Sequence, residues 1–201
     1  SALVAPGGPL PIGTSAPISL TFADPGTNDT HIATVNWGDS TSTSAAVSES
    51  GGLGTVSANH VYGTFGVFHV TVTVKDDNGA TEFANADITV NGTPIANAGG
   101  PYAGTEGTGV LLDASAIDPD DGTLDVGWTF TWTGDAGTTC GTVGADTLTP
   151  LVTCNDNAIV TANLTVSDRI NPPVVAHTTF TVSNVAPTLT PVVPSESPVA
   201  T

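Results

Sequence analysis

The sequence predicts an all-β chain folded as two tandem β-sandwiches of about seven strands each. Composition is the first reason, because 23 glycines and 15 prolines among 201 residues oppose long helices. Hydrophobic residues make up 39% of the chain, which is enough for small cores built from β-branched side chains. The second reason is a strand pattern that occurs twice along the chain.

The strand pattern is clearest in residues 59–78. Apolar and polar side chains alternate over residues 68–74, as expected for a strand with one buried face. An Asp-Asp-Asn-Gly turn follows, and residues 80–90 are predicted to return as the second strand of a hairpin.

A weaker copy of the pattern lies at residues 162–168, and the spacing between the copies is regular. Asp76 and Asp168 lie 92 positions apart, and Asp24 and Asp118 lie 94 apart. A repeat of this length indicates two similar domains in tandem. The predicted division is a sandwich over residues 1–92, a second over 93–187, and a Pro-rich linker or first strand of a further repeat over 188–201.

Shorter stretches of the same alternation supply the remaining strands. Turn signals separate them, such as Asp-Pro-Gly at residues 24–26 and Asp-Pro-Asp-Asp-Gly at residues 118–122. The further predicted strands are residues 16–22, 32–37, 45–47, 110–112, 126–132, 158–167 and 174–183.

The charge balance excludes two classes of partner. Lys75 and Arg169 are the only basic residues besides histidine, against nineteen acidic ones, and the formal net charge is −17. Nucleic acids and anionic membranes bind through clustered Lys and Arg, so neither is expected as a partner. No stretch approaches the roughly 18 apolar residues of a membrane-spanning helix. We expect a part of a larger exported protein.

The two cysteines, Cys140 and Cys154, are predicted to form a disulfide. Their spacing is not the Cys-x-x-Cys of zinc ribbons, and a bridge would close a hairpin-like loop. Such a bond indicates an oxidising, extracytoplasmic compartment and contributes roughly 3 kcal/mol by loop-closure arguments. The alternative is a pair of free, partly buried thiols.

The first predicted domain resembles the PKD domain, the immunoglobulin-like module named after polycystic kidney disease. The resemblance rests on Trp-Gly-Asp-Ser at residues 37–40, His-Val-Tyr at 60–62, and the strand and turn of residues 66–79. The second domain is less similar, because it has Trp-Thr-Gly-Asp at residues 132–135 and lacks the His-x-Tyr. The resemblance implies two PKD-type immunoglobulin-like sandwiches of a bacterial or archaeal secreted or surface protein.

Four residues are predicted to hold the corner of the first sandwich. Asp39 follows a glycine in a tight turn and is expected to accept hydrogen bonds from the backbone beyond it. His60 and Tyr62 are expected to fix the corner through buried hydrogen bonds, beside Trp37.

The resemblance also implies a calcium ion, and the acidic loops offer oxygen ligands of the kind that calcium prefers. The alternative is that these loops are solvated turns whose side chains bond backbone N–H groups. In the second domain the predicted ligands are Asp118, Asp120, Asp121, Asp125 and Asp168, with Asn97 or Glu106 completing the set. In the first domain they are Asp24, Asn28, Asp29 and Asp76.

No arrangement typical of an enzyme is present. The sequence lacks Gly-x-Ser-x-Gly, His-Glu-x-x-His and a Gly-rich loop followed by lysine, so we predict a chain that is not an enzyme. The resemblance implies an extracellular spacer or adhesion module that contacts neighbouring repeats.

Two alternatives remain open at this point. One is an accessory module of a secreted enzyme that binds polysaccharide or other surface proteins. Its aromatic candidates are Tyr102, Trp128 and Trp132, although the two tryptophans also fit a core. The other is a fibre of identical subunits joined by strand donation. Asn-x-Thr sequons occur at Asn28, Asn91 and Asn163.

Overall fold

A computed structural model describes residues 2–120 and 122–189, and this part of the chain contains sixteen β-strands and no helix. It therefore holds no helix that is long and apolar enough to cross a membrane. Asp121 and all of the 188–201 segment beyond Leu189 lie outside the described residues. The prediction of an all-β chain with two β domains is confirmed.

The first domain is one seven-stranded sheet with the order β1-β7-β6-β3-β4-β5-β2. All pairings are antiparallel except the short parallel one between β1 and β7. The strands are β1 (Leu10–Pro11), β2 (Ser15–Ala23), β3 (His31–Asn36), β4 (Ser42–Ser50), β5 (Leu53–Val61), β6 (Gly66–Asp76) and β7 (Thr81–Asn91).

The alternation in β2 and β6 explains the first core. Leu20 of β2 and Val72 of β6 are buried in one cluster, together with the fully buried Trp37 and Tyr62. Because strands from both halves of the sheet share this core, the sheet folds over on itself as a sandwich. The β4 strand is longer than the predicted 45–47, since pairing with both β3 and β5 extends it beyond its few apolar residues.

The second domain is built from three small sheets, with the orders β12-β15-β16-β9, β10-β14-β13 and β11-β8. Many of its strands are short because Gly-, Thr- and Asp-rich segments interrupt them. The strands are β8 (Ile95–Asn97), β9 (Ala103–Thr105), β10 (Val110–Leu111), β11 (Ser115–Ile117), β12 (Asp125–Gly134), β13 (Cys140–Val143), β14 (Leu151–Cys154), β15 (Ala158–Ser167) and β16 (Val174–Ser183).

The second core lies between these sheets. Trp128 of β12 packs there with Leu112 and Leu164, and Phe130 lies partly buried against the same cluster. Trp132 follows on the same face of β12 but is 38% exposed, because the core ends before it. Only the first part of the Trp-x-Phe-x-Trp stretch therefore contributes fully to the core.

The disulfide prediction is confirmed. Cys140 of β13 and Cys154 of β14 are opposite each other in the antiparallel register, and their sulfur atoms are 2.02 Å apart. Cys154 is fully buried, so the bond ties the small sheet to the second core.

Candidate functional site at the domain junction

The two cores are joined by residues 91–94, which we call the junction segment. It begins at Asn91, the last residue of β7, and ends just before Ile95, the first residue of β8. Asn91 is only 7% exposed although it is polar. A buried amide requires hydrogen-bond partners, and the second domain supplies them.

Asp168 and Asn171 of the second domain hold the junction segment. The Asn91 side-chain amide donates to Asp168 Oδ2 at 2.8 Å, and the Asn171 amide donates to the Gly92 carbonyl at 2.8 Å and to Asp168 Oδ2 at 2.7 Å. All three side chains are buried. We call these three residues the junction clamp, because they join the end of one domain to the body of the next.

The turn after β15 places Asp168 for this contact. Its Oδ1 accepts the backbone N–H groups of Ile170 at 2.9 Å and Asn171 at 2.8 Å, so four donors surround the carboxylate. Burial alone would raise the pKa of Asp168, but these hydrogen bonds outweigh it and hold the pKa below its ordinary value. Asp168 is therefore a charged acceptor whose oxygens are already used by the turn and the junction segment.

Asp120 and Phe65 enclose the junction segment at Gly92. The Gly92 N–H donates to Asp120 Oδ2 at 3.0 Å. A Cβ atom at position 92 would lie 3.2 Å from Phe65 Cγ and 3.4 Å from Asp120 Oδ1. The contact with Phe65 would be closer than ordinary van der Waals contact. Glycine thus lets the chain pass between a ring of the first domain and a carboxylate of the second.

Asp118 lies beside Asp120 at the same pole of the second domain. Asp118 Oδ1 accepts the Asp120 N–H at 3.3 Å. A side-chain hydrogen bond with Asp120, burial, and the charges of Asp120 and Asp168 raise the pKa of Asp118. Within the described part of the chain, Asp118 Oδ2 and Asn171 Oδ1 are buried oxygens without a hydrogen-bond partner.

The other predicted ligands of the second domain lie elsewhere. Asp125 accepts two hydrogen bonds from the Arg169 guanidinium, at 2.5 and 2.8 Å, and this ion pair lowers the pKa of Asp125. Asn97 Oδ1 accepts the Gly99 N–H at 2.9 Å, and Glu106 Oε1 accepts the Val185 N–H at 2.9 Å. Among residues 2–120 and 122–189, no three His, Cys, Asp or Glu side chains form a group that could hold a metal ion.

The acidic residues of the first domain gather at its corresponding pole. Asp24 accepts the Gly26 N–H at 2.6 Å, and Asp76 accepts the Ala80 N–H at 2.7 Å, so both act first as turn acceptors. Burial and the charges of Asp77, Asp24 and Asp76 raise the pKa of Asp29, which shows that these carboxylates are near one another.

His31 is part of this pole, and the sequence did not identify it. Its Nε2 lies 3.1 Å from Asp24 Oδ2 and its Nδ1 lies 2.7 Å from Glu49 Oε2, with the side chain 6% exposed. Glu49 is eighteen positions away on β4, so no local spacing indicates the contact.

The predicted corner residues of the first domain contact one another. The Tyr62 hydroxyl donates to the Trp37 carbonyl at 3.0 Å, and burial raises the pKa of Tyr62 to about 12. His60 Nε2 is 2.7 Å from Asp39 Oδ2, while Asp39 Oδ1 accepts the Thr41 N–H at 3.0 Å. These contacts join the β3–β4 turn to the end of β5.

The aromatic side chains considered for sugar binding have internal partners. The Trp128 indole donates to the Thr147 carbonyl at 2.9 Å from within the core, and the Tyr102 hydroxyl donates to the Ala98 carbonyl at 3.1 Å. Trp132 is the most exposed of the three, and its indole donates to the Thr138 carbonyl at 3.2 Å. Their main contacts are therefore structural.

Three solved structures are among those similar to the chain. They are an I-band fragment of titin (12% identity, 92% of this chain and 66% of that chain, TM-score 0.44), InvD of Yersinia pseudotuberculosis (19%, 96% and 60%, 0.34) and cadherin domains 1–5 of protocadherin Gamma B2 (15%, 92% and 40%, 0.49). The chain spans at most about two thirds of these relatives, and at such identities the likeness concerns the fold alone.

A comparison with family models gives a more specific result for the first domain. Residues 6–90 match the family described as PKD domain. No curated protein matches the chain. The PKD-domain match thus covers most of the first domain, and a second β domain follows it.

Proposed function

We propose that the chain is a non-catalytic spacer in an extracellular protein, in which two domains keep a fixed mutual orientation. The observation that carries this proposal is the buried junction clamp of Asn91, Asp168 and Asn171. PKD and immunoglobulin-like modules are typically non-catalytic, and the disulfide favours an oxidising compartment outside the cytoplasm. A spacer of this kind presents neighbouring domains at a defined distance from a surface.

The clamp favours one orientation because separating the domains leaves buried polar groups unpaired. Hydrogen bonds to charged groups contribute about 1.5–3 kcal/mol each, and Asp168 accepts two such bonds from side-chain amides. Without Asn91 as donor, the charged Asp168 would lose a partner that lies in the other domain. The junction segment is also short, so it leaves little room for independent motion.

Small-angle X-ray scattering tests this proposal. Asn91→Ala removes the donor from the first-domain side and leaves the Asp168 turn intact, so we expect a broader distribution of overall dimensions than in the wild type. Asp146→Ala is the matched control, because it removes an exposed carboxylate of the same domain that takes no part in the clamp or its turn. Identical scattering from wild type and Asn91→Ala would contradict a fixed orientation set by this contact.

We further propose that calcium binds weakly at the pole formed by Asp118 and Asp120. The adjacent acidic residues Asp118 and Asp120, whose charges raise the pKa of Asp118, support this proposal, and so do the partnerless buried oxygens of Asp118 and Asn171. Calcium prefers six to eight oxygen ligands, more than these residues provide, so water would complete the shell. The bound ion would offset the repulsion between like charges beside the junction segment.

Calorimetric titration with calcium chloride tests the cation proposal. We expect binding to wild type, loss of binding with Asp118→Asn, and unchanged binding with Asp146→Asn, which alters an exposed carboxylate outside this pole. The melting temperature of wild type should also fall on addition of EDTA. Absence of both heat and a melting shift in wild type would contradict the proposal, while leaving the spacer function untouched.

A further inference from the structure

The first domain has an opening between the end of β2 and the start of β7. Its volume is about 520 Å³. Leu20 and Phe22 line it from β2, and Phe83 and Ala84 line it from β7. Phe83 is 69% exposed, so its ring offers apolar surface to a partner.

The β7 strand borders this opening with an incomplete edge. It pairs with β6 from Thr81 to Val90, but β1 joins its other side only at Val90 and Asn91. In the described part of the chain, the outer edge of β7 from Thr81 to Thr89 has no strand partner. About half of the N–H and C=O groups in such a stretch point outward and are available to an added strand.

The N-terminal segment of the chain, from residue 2 onward, does not pair with this part of β7. The segment before β1 instead meets β2, where Val4 and Ser19 exchange backbone hydrogen bonds at 2.8 and 3.0 Å. The start of β7 and the end of β2 are therefore left on either side of the opening. Proteins usually protect a free edge with charges or a bulge, and β7 carries Glu82 and Asp87, but it also exposes the large apolar ring of Phe83.

The lining of the opening is acidic as well as apolar. Asp24, Asp76 and Glu82 contribute carboxylates, and His31 is the only basic side chain among the described lining residues. Lys75 lies on the neighbouring β6, opposite Thr81, and is not part of the lining. The opening therefore combines a backbone edge, aromatic surface and negative charge.

We propose that the outer edge of β7 binds an extended basic segment of a partner protein as an added strand. Its backbone pairs with Thr81 to Thr89, and its apolar side chains pack beside Phe83 on the outer face of β7. Its Lys or Arg side chains, on the opposite face of the added strand, point toward the opening and its three carboxylates. Main-chain pairing supplies affinity and the alternate side chains supply selectivity, as in other strand-addition complexes.

A second copy of this chain is a poor occupant. The whole sequence has two basic residues, so nearly every extended segment it could donate is neutral or acidic. The Pro-rich residues 188–201 contain no Lys or Arg and three prolines, which cannot donate ladder hydrogen bonds. The charge of the opening thus favours a different, basic protein.

Titration of the isotope-labelled chain with a model peptide tests the proposal by nuclear magnetic resonance. The probe is an acetylated and amidated heptapeptide in which Lys alternates with Val, beginning and ending with Lys. We expect shift changes and slower amide exchange in β7 from Thr81 to Thr89. Two further versions of the peptide carry N-methyl groups on alternate backbone nitrogens, one on the odd and one on the even residues. The version whose methyl groups block the N–H groups that pair with β7 should bind at least about tenfold more weakly.

Substitutions in the chain and a peptide of opposite charge distinguish strand addition from nonspecific binding. Phe83→Ala should weaken the Lys–Val peptide about tenfold, and Glu82→Gln should weaken it and reduce its salt dependence. Ile32→Ala is the matched control, because Ile32 is 65% exposed on β3, a strand that is paired on both sides.

Several results would overturn the proposal. These are equal binding of a Glu–Val peptide, full affinity of both N-methylated peptides, shift changes centred on Asp118 and Asp120, an equal loss with Ile32→Ala, or concentration-dependent self-association that buries β7. The spacer function does not depend on this test, because the junction clamp is at the other end of the first domain's last strand.

Discussion

At the scale of single residues, His31 is the group whose environment most clearly couples structure to pH. Burial opposes protonation of the imidazole, but the hydrogen bonds to Glu49 and Asp24 outweigh it and raise the pKa of His31 above its ordinary 6.5. The folded state therefore holds a proton on His31 more tightly than the unfolded chain does. This contribution is fully present below pH 6.5 and is lost as the pH rises through the folded pKa.

We expect the melting temperature of the wild-type first domain to fall more between pH 5.5 and pH 8 than that of a His31→Gln variant. Thermal melts of both proteins across this range check the sign. His177→Gln is the control, because His177 lies exposed on β16 of the other domain. The melting temperature of wild type minus that of His31→Gln should therefore decrease as the pH rises. If this difference stays constant or increases, the imidazole is not held in its charged form.

Single residues also show what the sequence could and could not predict. The spacing of Asp76 and Asp168 placed both at turns after long strands, which the structure shows. Asn171 gave no signal, because the corresponding position in the first copy of the repeat is Gly79 and its partner Gly92 is 79 positions away. Asn91 also belongs to a sequon, but its side chain is buried in the clamp, where its amide donates to Asp168.

At the scale of elements, the disulfide between β13 and β14 is predicted to stabilise one domain only. Replacing both Cys140 and Cys154 by Ser should lower the free energy of unfolding of the second domain by about 2–4 kcal/mol, because the unfolded chain gains loop freedom and a buried site is disturbed. Denaturant titration followed by residue-specific amide signals checks this. The first domain, with its separate core, serves as the internal control, and equal destabilisation of both domains would contradict independent cores.

Strand alternation predicted the elements best where one face is fully buried. The β6 strand follows its alternation closely, since Val70, Val72 and Val74 all enter the core. The β4 strand exceeds its predicted length because its pairing partners, and not its own apolar residues, define it. The three small sheets of the second domain were not predicted either, because a short strand is specified by its neighbour across the sheet.

At the scale of the whole molecule, the repeat predicted two domains but not how they meet. The net charge of −17 opposes close approach of acidic surfaces, and the contacts at residues 91–94 act against that repulsion. These contacts depend on side chains brought together by the turn after β15, which no local pattern in the sequence indicates. Side chains that lie far apart in the sequence therefore meet at the junction segment.

Residual dipolar couplings measured on the intact chain test the fixed orientation most directly. If the junction clamp holds the domains together, one alignment tensor will fit the couplings of both domains in the wild type, and Asp168→Ala will require two tensors of different magnitude. Asp146→Ala, which removes an exposed carboxylate outside the clamp and its turn, should behave as the wild type does. Two different tensors in the wild type would contradict the account, since the domains would then move independently in spite of the clamp.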